Sequence, residues 1–232
     1  VTFITLAAAG AASLSVYVLA LRPWQLRWGA SDDECRQPMP GDDLVPSARV
    51  ASTRAITIRA PAANVWPWLV QMGYQRGGWY AYDWLEALAG AHDFVDGHSA
   101  TRIIPELQHL EVGEVIRMGP SGGLAVVALE PQRLLVLRAR IDAATGHHLD
   151  AEEPLPDTLH GLPASFYNVS WAFALNPLDD TTTRLVTRFR VGYQPTVPNN
   201  LFGRLLLEPG TFLLERKMLL GMRERAEALN RS

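Results

Sequence analysis

Cysteine and lysine are nearly missing from this chain of 232 residues, with Cys35 and Lys217 as single instances. One cysteine excludes an internal disulfide framework, a CxxC redox pair and a Cys-rich zinc site. It leaves the compartment open, because a chain without disulfides is allowed on either side of a membrane. An excess of one charge is also missing. The 21 Lys and Arg against 24 Asp and Glu leave a net charge of -3, which gives no global field for nucleic acid. No P-loop, G-x-G-x-x-G or HExxH occurs, so nucleotide or zinc chemistry through those motifs is excluded. Internal repeats and long low-complexity tracts are absent as well. Hydrophobic residues are plentiful, at 48% against 19% charged, and this composition buries a core rather than staying disordered. The length fits one domain plus an appendage.

From Val1 to Leu21 there is no charge, and the run matches the roughly 20 residues a helix needs to cross a bilayer. Arg22, Pro23, Trp24, Arg27 and Trp28 follow it, an aromatic and cationic cluster of the kind found at headgroup level. Residues 1–22 therefore read as a single transmembrane anchor. A cleaved signal peptide is the rival, with Ala9, Ala11 and Ala12 as small residues near a cut, although the run exceeds a typical h-region and lacks a basic n-region. A buried helix of the folded domain is the third reading. Arg22 and Arg27 on the distal side place the C-terminal domain in the cytoplasm by the positive-inside rule. Val1 qualifies that orientation: it is either a GTG start written literally or the remainder of a chain whose upstream charges would reverse it.

Residues 23–50 read as a linker with one short helix, opened by the capping-box pattern Ser31-Asp32-Asp33-Glu34 and closed by Pro38, Pro40 and Gly41. Residues 51–232 read as one domain. Thr53 to Arg59 alternates as a strand. Val65, Trp66, Leu69 and Met72 form a helical stripe in which Pro67 belongs in or just after the first turn, or at a kink. A second short helix, Tyr80 to Leu88, has Trp84, Leu85 and Leu88 as its apolar side. Period-two segments follow near Ile103, at 114–118, 124–130 and 134–140, then a long loop from Asp142 to Pro163. Ser165–Leu175 and Thr183–Tyr193 make a hairpin, and a helix from Asn199 to Leu229, interrupted at Pro209-Gly210, ends the chain.

This order resembles the START-like helix-grip superfamily, also called SRPBCC. The resemblance is sharpened by Ala60-Pro61 with Val65-Trp66-Pro67-Trp68-Leu69 and Gln71-Met72-Gly73. It continues in Gly77-Gly78-Trp79-Tyr80, Tyr82-Asp83-Trp84-Leu85-Glu86 and Phe212-Leu213-Leu214-Glu215-Arg216-Lys217-Met218-Leu219. These phrases resemble a bacterial, polyketide-cyclase-like branch of unassigned function and span about residues 28–229. The resemblance implies an α+β fold in which a curved antiparallel sheet of about six to seven strands wraps a long C-terminal helix. Members bind lipids, sterols, aromatic polyketides or plant hormones, so the fold alone does not decide function.

Tyr167, Val169, Trp171 and Phe173 share one face of their strand, and Asn168 and Ser170 the other. The aromatic face is expected inward. In the partner strand Leu185, Thr187, Phe189 and Val191 share a face, with Arg184, Arg188 and Arg190 opposite, toward solvent, contact with anionic lipid headgroups being the other reading. If the sheet grips the helix, Tyr167, Trp171, Phe189, Phe212 and Met218 line a cavity, with Trp79 and Trp84 at its entrance and Tyr80 as a further ligand-binding residue; the alternative is that they fill the core. A ligand burying roughly 300 Å² of apolar surface gains on the order of 7 kcal/mol before association costs, so no charged anchor is required.

Catalytic signals are weak. Gly119-Pro120-Ser121-Gly122-Gly123 matches G-x-S-x-G but lies between strands and reads as a hairpin turn. His147-His148 is adjacent and in a loop, without metal-ligand spacing. Asn168-Val169-Ser170 is a glycosylation sequon inside a strand. Tyr82, Asp83, Glu86, Glu106, His109 and Tyr167 are possible acid–base groups; only Asp83 and Glu86, three apart, can share a helix face, a spacing ordinary on helix surfaces. The leading expectation is membrane-tethered binding of a hydrophobic small molecule or lipid, with no covalent chemistry, no cofactor, no metal and no nucleic-acid partner. A cyclase or lyase-type enzyme using a cavity Tyr or carboxylate is the second reading. A regulatory or partner-binding domain with a filled core is the third.

Overall fold

The structure is a computed structural model and describes residues 15–88, 90–91, 93–120, 122–145, 147–148 and 163–229. Its strands are β1 (Val50–Ile58), β2 (Val115–Arg117), β3 (Gly123–Glu130), β4 (Leu134–Asp142), β5 (His147–His148), β6 (Phe166–Asp179) and β7 (Thr182–Tyr193). Its α-helices are α1 (Arg22–Leu26), α2 (Asp32–Arg36), α3 (Ala62–Val70), α4 (Asp83–Leu88), α5 (Val197–Phe202) and α6 (Glu208–Leu229). All strands pair antiparallel in the order β1-β7-β6-β4-β3-β2, with β5 added to the end of β4. This is an α+β fold with a long C-terminal helix on one face of the sheet, as the helix-grip reading expects.

Alternation gives the sheet two different faces. The inner set, including Ile58, Phe173, Leu185 and Trp171, packs with Leu69 of α3 and Met218, Leu219 and Met222 of α6 in one apolar core. Each fully buried Leu- or Phe-sized side chain there contributes about 1.5–3 kcal/mol. The outer face is also covered. Ala55, Val136, Ala172 and Val186 form a second cluster with Met39, and Leu44 packs at its edge.

The cover is fastened by the arginines expected to face solvent, and that expectation is corrected. Arg184 donates to both Glu34 carboxylate oxygens at 2.7 and 2.8 Å and to the Gly29 carbonyl. Buried Arg188 donates to Asp42 at 2.6 Å, to Thr53 Oγ1 and to the carbonyls of Glu34 and Gln37. Arg190 donates to the Val45 carbonyl. The segment read as a linker thus lies on the sheet because its carbonyls and carboxylates meet a row of strand guanidiniums. Asn168 is buried under it, donating to the Leu44 carbonyl at 2.8 Å, so the sequon is closed to modification in the folded chain.

Several local readings change. The capping box forms, with Ser31 Oγ accepting from Glu34 N–H and the Glu34 carboxylate accepting from Ser31 N–H. No strand forms near Ile103: the Gln71 side chain accepts from Ile104 N–H and donates to the Arg102 carbonyl, taking backbone groups that a ladder would use, and Pro105–Leu107 is a 3₁₀ turn. α4 faces the other way, leaving Trp84 and Leu88 exposed and Glu86 buried, because Asp83 accepts from both Ser99 N–H and Ser99 Oγ–H and fixes the rotation of the helix. Pro67 is the sixth residue of α3, just past the first turn. Pro209 does not interrupt the C-terminal helix: a π-helical turn at Gly203–Leu207, in which Glu208 N–H reaches Gly203 O, absorbs the missing donor and joins α5 to α6. Arg117 pairs with Gly123, so the G-x-S-x-G segment is a hairpin connection, although Ser121 itself lies outside the described residues.

Among the described residues no helix is long and apolar enough to cross a membrane. Residues 1–14 of the expected anchor lie outside them. The remainder is helical, through a π-turn at Tyr17–Leu21 into α1, and packs parallel to the C-terminal helix. Tyr17 donates to the Arg204 carbonyl, Arg22 makes a two-pronged ion pair with Glu208 at 2.8 Å, and Trp24 meets Phe212 edge-on.

Candidate functional site

The inner face of the sheet meets α6 at a polar group inside apolar surroundings. β1 brings Arg54 inward because it shares parity with Ile56 and Ile58, and β7 brings Thr187 opposite it in the ladder. α6 presents Glu215 on the stripe that carries Met218, Leu219 and Met222. Glu215 Oε1 accepts from Trp171 Nε1–H at 3.1 Å and from Thr187 Oγ1–H at 2.8 Å, while Oε2 pairs with Arg54 Nη1. Arg54 Nε donates to the Gln25 carbonyl at 2.9 Å. The guanidinium is 0% exposed and lies over the Phe212 ring, 5.6 Å from its centroid. Its Nη2 is buried without a hydrogen-bond partner. An orphaned donor of a charged group costs about 1–3 kcal/mol or more, so this position asks for an acceptor.

Aromatic rings surround the pair. Trp171 stacks on Trp79 with centroids 6.0 Å apart and 21° between planes, tilts against Phe173 at 4.8 Å and takes Phe189 edge-on at 5.9 Å. Trp79 and Trp171 are buried, whereas Phe189 and Phe212 are half-buried, which leaves this flank of the cluster partly open.

The eight expected lining residues go to four different places. Trp79, Trp171, Phe189 and Phe212 come together around the Arg54–Glu215 pair. Tyr80 and Met218 are buried core members. The Tyr80 hydroxyl donates to the Trp68 carbonyl at 3.1 Å, its ring is capped by Arg225, and burial pushes its phenol well above the ordinary range. Tyr80 also takes a left-handed backbone, with φ of 57°, and its carbonyl abuts Gly221 of α6. Trp84 is 65% exposed beside Tyr82 and belongs to no enclosure. Tyr167 sits at the far end of β6 against Tyr193 and Phe202, donating to Asn199 Oδ1 at 3.3 Å.

The possible acid–base groups do not converge. Asp83 is engaged by Ser99, Glu106 is exposed and Tyr167 is at the other end. Glu86 differs from these: both carboxylate oxygens are buried without a partner, and burial, reinforced by the Asp83 charge, pushes it up to about 7. Two surface concavities stand apart from the aromatic cluster. One, of about 540 Å³, is lined by Thr57, Arg59, Arg223, Glu224 and Glu227. The other, of about 560 Å³, runs between α1 and the segment over the outer face, where Arg22, Arg27, Arg36 and Arg188 each already hold a carboxylate.

Arg54, Glu215 and the role of Thr187 were missed by sequence reasoning. The signal was present: an arginine on the inward parity of β1 and a glutamate on the apolar stripe of α6 are two opposite charges where the pattern asks for aliphatic side chains.

No family model matches the chain, and no curated protein matches it. Solved structures do resemble it. Norcoclaurine synthase from Thalictrum flavum aligns over 78% of this chain and 96% of its own, with a TM-score of 0.42 and 10% identity. The Zhui aromatase/cyclase from a Streptomyces species aligns over 77% and 93%, with a TM-score of 0.33 and 16% identity. A protein from Mesorhizobium loti aligns over 79% and 98%, with a TM-score of 0.39 and 16% identity. Likeness at this level transfers neither a ligand nor a residue role to this chain.

Proposed function

We propose that this protein binds a hydrophobic small molecule or lipid between the sheet and the C-terminal helix, without covalent chemistry, while residues 1–22 hold it at a membrane with the folded domain on the cytoplasmic side. The observation that carries the ligand reading is the unpartnered Nη2 of buried Arg54 beside the half-buried rings of Phe189 and Phe212. Apolar walls with one or two oriented polar groups suit a ligand that is mostly hydrocarbon or aromatic and carries one acceptor, such as a carbonyl or carboxylate. Glu215 is engaged by three donors and Arg54 is an ion-pair partner, so the polar groups here orient a ligand rather than attack it. Tethering raises the effective concentration of a membrane-derived ligand without any new contact.

Native mass spectrometry of the full chain, followed by organic extraction, tests this reading. A stoichiometric apolar adduct is expected, and Phe212→Trp, which fills the open flank, is expected to lose it while melting like the parent. Absence of an adduct, together with no saturable binding of an apolar fluorophore up to concentrations on the order of tens of micromolar, rejects it.

A second reading, an enzyme of the cyclase or lyase type, is favoured by Glu86 alone. A carboxyl half-protonated near pH 7 has the tuning of a general acid. If it serves that role, Glu86→Gln abolishes turnover of a polyketide-like substrate without loosening its binding.

A further inference from the structure

We infer that the parallel helix pair formed by residues 15–26 and 197–214 seats on a lipid bilayer, with residues 15–22 continuing the anchor and residues 197–214 adding a second membrane contact beside it. This inference rests on the tethered reading above. Twelve of the twenty large apolar side chains exposed among the described residues belong to these two short stretches. On the first, Val16, Leu19 and Leu21 are exposed; on the second, Leu201, Phe202, Leu205 and Leu206 are exposed. A soluble surface scatters such residues singly, whereas a concentrated group marks a contact site.

The contacts between the helices put the two groups on neighbouring helices. Tyr17 reaches Arg204, Arg22 pairs with Glu208 and Trp24 meets Phe212, so both sequence numbers rise together and the helices run parallel. Both apolar ends therefore lie at the same end of the molecule, where Tyr167 near the start of β6 touches Phe202 and where the described chain begins at Ser15.

The chemistry of the surface selects a bilayer over a protein partner. The uncharged sequence from Val1 to Leu21 ends inside this surface, and its length matches the roughly 20 apolar residues needed for about 30 Å of hydrocarbon. Its charged rim is cationic: Arg204 is exposed, Arg22 is partly exposed, and Glu208, the one acid between them, is fully buried against Arg22. Trp24 and Tyr17 add the aromatic groups that favour the headgroup boundary. An anchored chain holds this surface next to the bilayer, and apolar side chains there enter about 5–10 Å into the interface.

The test uses the full chain with Cys35→Ser in phosphatidylcholine/phosphatidylglycerol vesicles containing a nitroxide lipid. An environment-sensitive label is placed at one of four positions: Leu205→Cys, Leu206→Cys, Leu178→Cys at the exposed end of β6, or Leu6→Cys in the anchor run. Labels at 205 and 206 are expected to shift to the blue and lose about half their emission to the nitroxide, while the label at 178 stays water-like. If 6 is quenched but 205 and 206 match 178, the tether stands and the seating surface is overturned. If 6 is not quenched either, the tethered reading falls first and this inference with it. Shielding at 205 that follows protein density without nitroxide quenching assigns the surface to a second copy of the chain and also overturns the proposal.

Discussion

Replacing Glu215 by leucine strands a guanidinium that has no access to water. In the folded chain Arg54 is 0% exposed and holds Glu215 through Nη1 and the Gln25 carbonyl through Nε. Trp171 Nε1 still reaches Thr187 Oγ1 at 3.0 Å after the substitution, so the indole is not orphaned. The uncompensated charge is the dominant loss, and breaking a buried pair from one side costs about 3–5 kcal/mol. Against a folding free energy of about 5–15 kcal/mol this is a large fraction. At about 2–4 °C per kcal/mol for a chain of this size, the melting midpoint falls by roughly 6–20 °C. Tryptophan-fluorescence melting and urea unfolding in one detergent read it directly. The double variant Arg54→Met with Glu215→Leu removes both charges and is expected to recover to within about 1 kcal/mol of the parent. A single Glu215→Leu variant that melts like the parent, or a double variant as unstable as the single, would refute a desolvated ion pair as the organiser of this interior.

Gly221→Ala puts a Cβ against the Tyr80 carbonyl oxygen, a backbone atom of a residue already in the left-handed region, and is expected to cost about 1–3 kcal/mol by urea midpoint. Glu86 has a folded pKa near 7 against an ordinary value of 4.5, so its protonated form is favoured in the fold. The stability it contributes is present below pH 4.5, falls as pH rises through 7, and is flat above; after discounting for partial screening the loss is about 1–2 kcal/mol. Glu86→Gln removes that slope, and equal urea midpoints for the parent at pH 5 and pH 8 would contradict it. Asp42→Ala withdraws the carboxylate that Arg188 holds at 2.6 Å, and trypsin cleavage at Arg36 and Arg49 is expected to speed up while the inner core stays protected.

Strand parity was readable because it is set by alternation alone. Tyr167, Trp171 and Phe173 point inward and Asn168 and Ser170 outward, as period two requires. The outward arginines were misjudged because alternation says which face a residue takes and not what later covers that face; Arg184 and Arg188 meet acids that lie 150 and 146 residues earlier. The rotation of α4 was missed for a related reason. Its apolar residues suggested one side, but the Asp83–Ser99 bonds, 16 residues apart, decide the other. The aromatic part of the site was legible residue by residue, while its polar centre was not, since Arg54 and Glu215 look like ordinary charged positions until parity and helix stripe are combined.

The ion pairs that close the molecule join its beginning to its end. Arg22 waits 186 residues for Glu208, and Arg54 waits 161 for Glu215. β1 finds its ladder partner only in β7, the last strand made. Closing loops of that length precedes any energetic return from the contacts, which makes folding slow and dependent on the complete chain. During synthesis, β1 therefore leaves the ribosome with its edge unmatched until β7 is made, and Arg22 and Arg54 remain without their carboxylates until the final helix exists. A stop codon before Glu208 would leave both ends of the protein open at once, and clearance of such a fragment by quality-control proteases would be rapid.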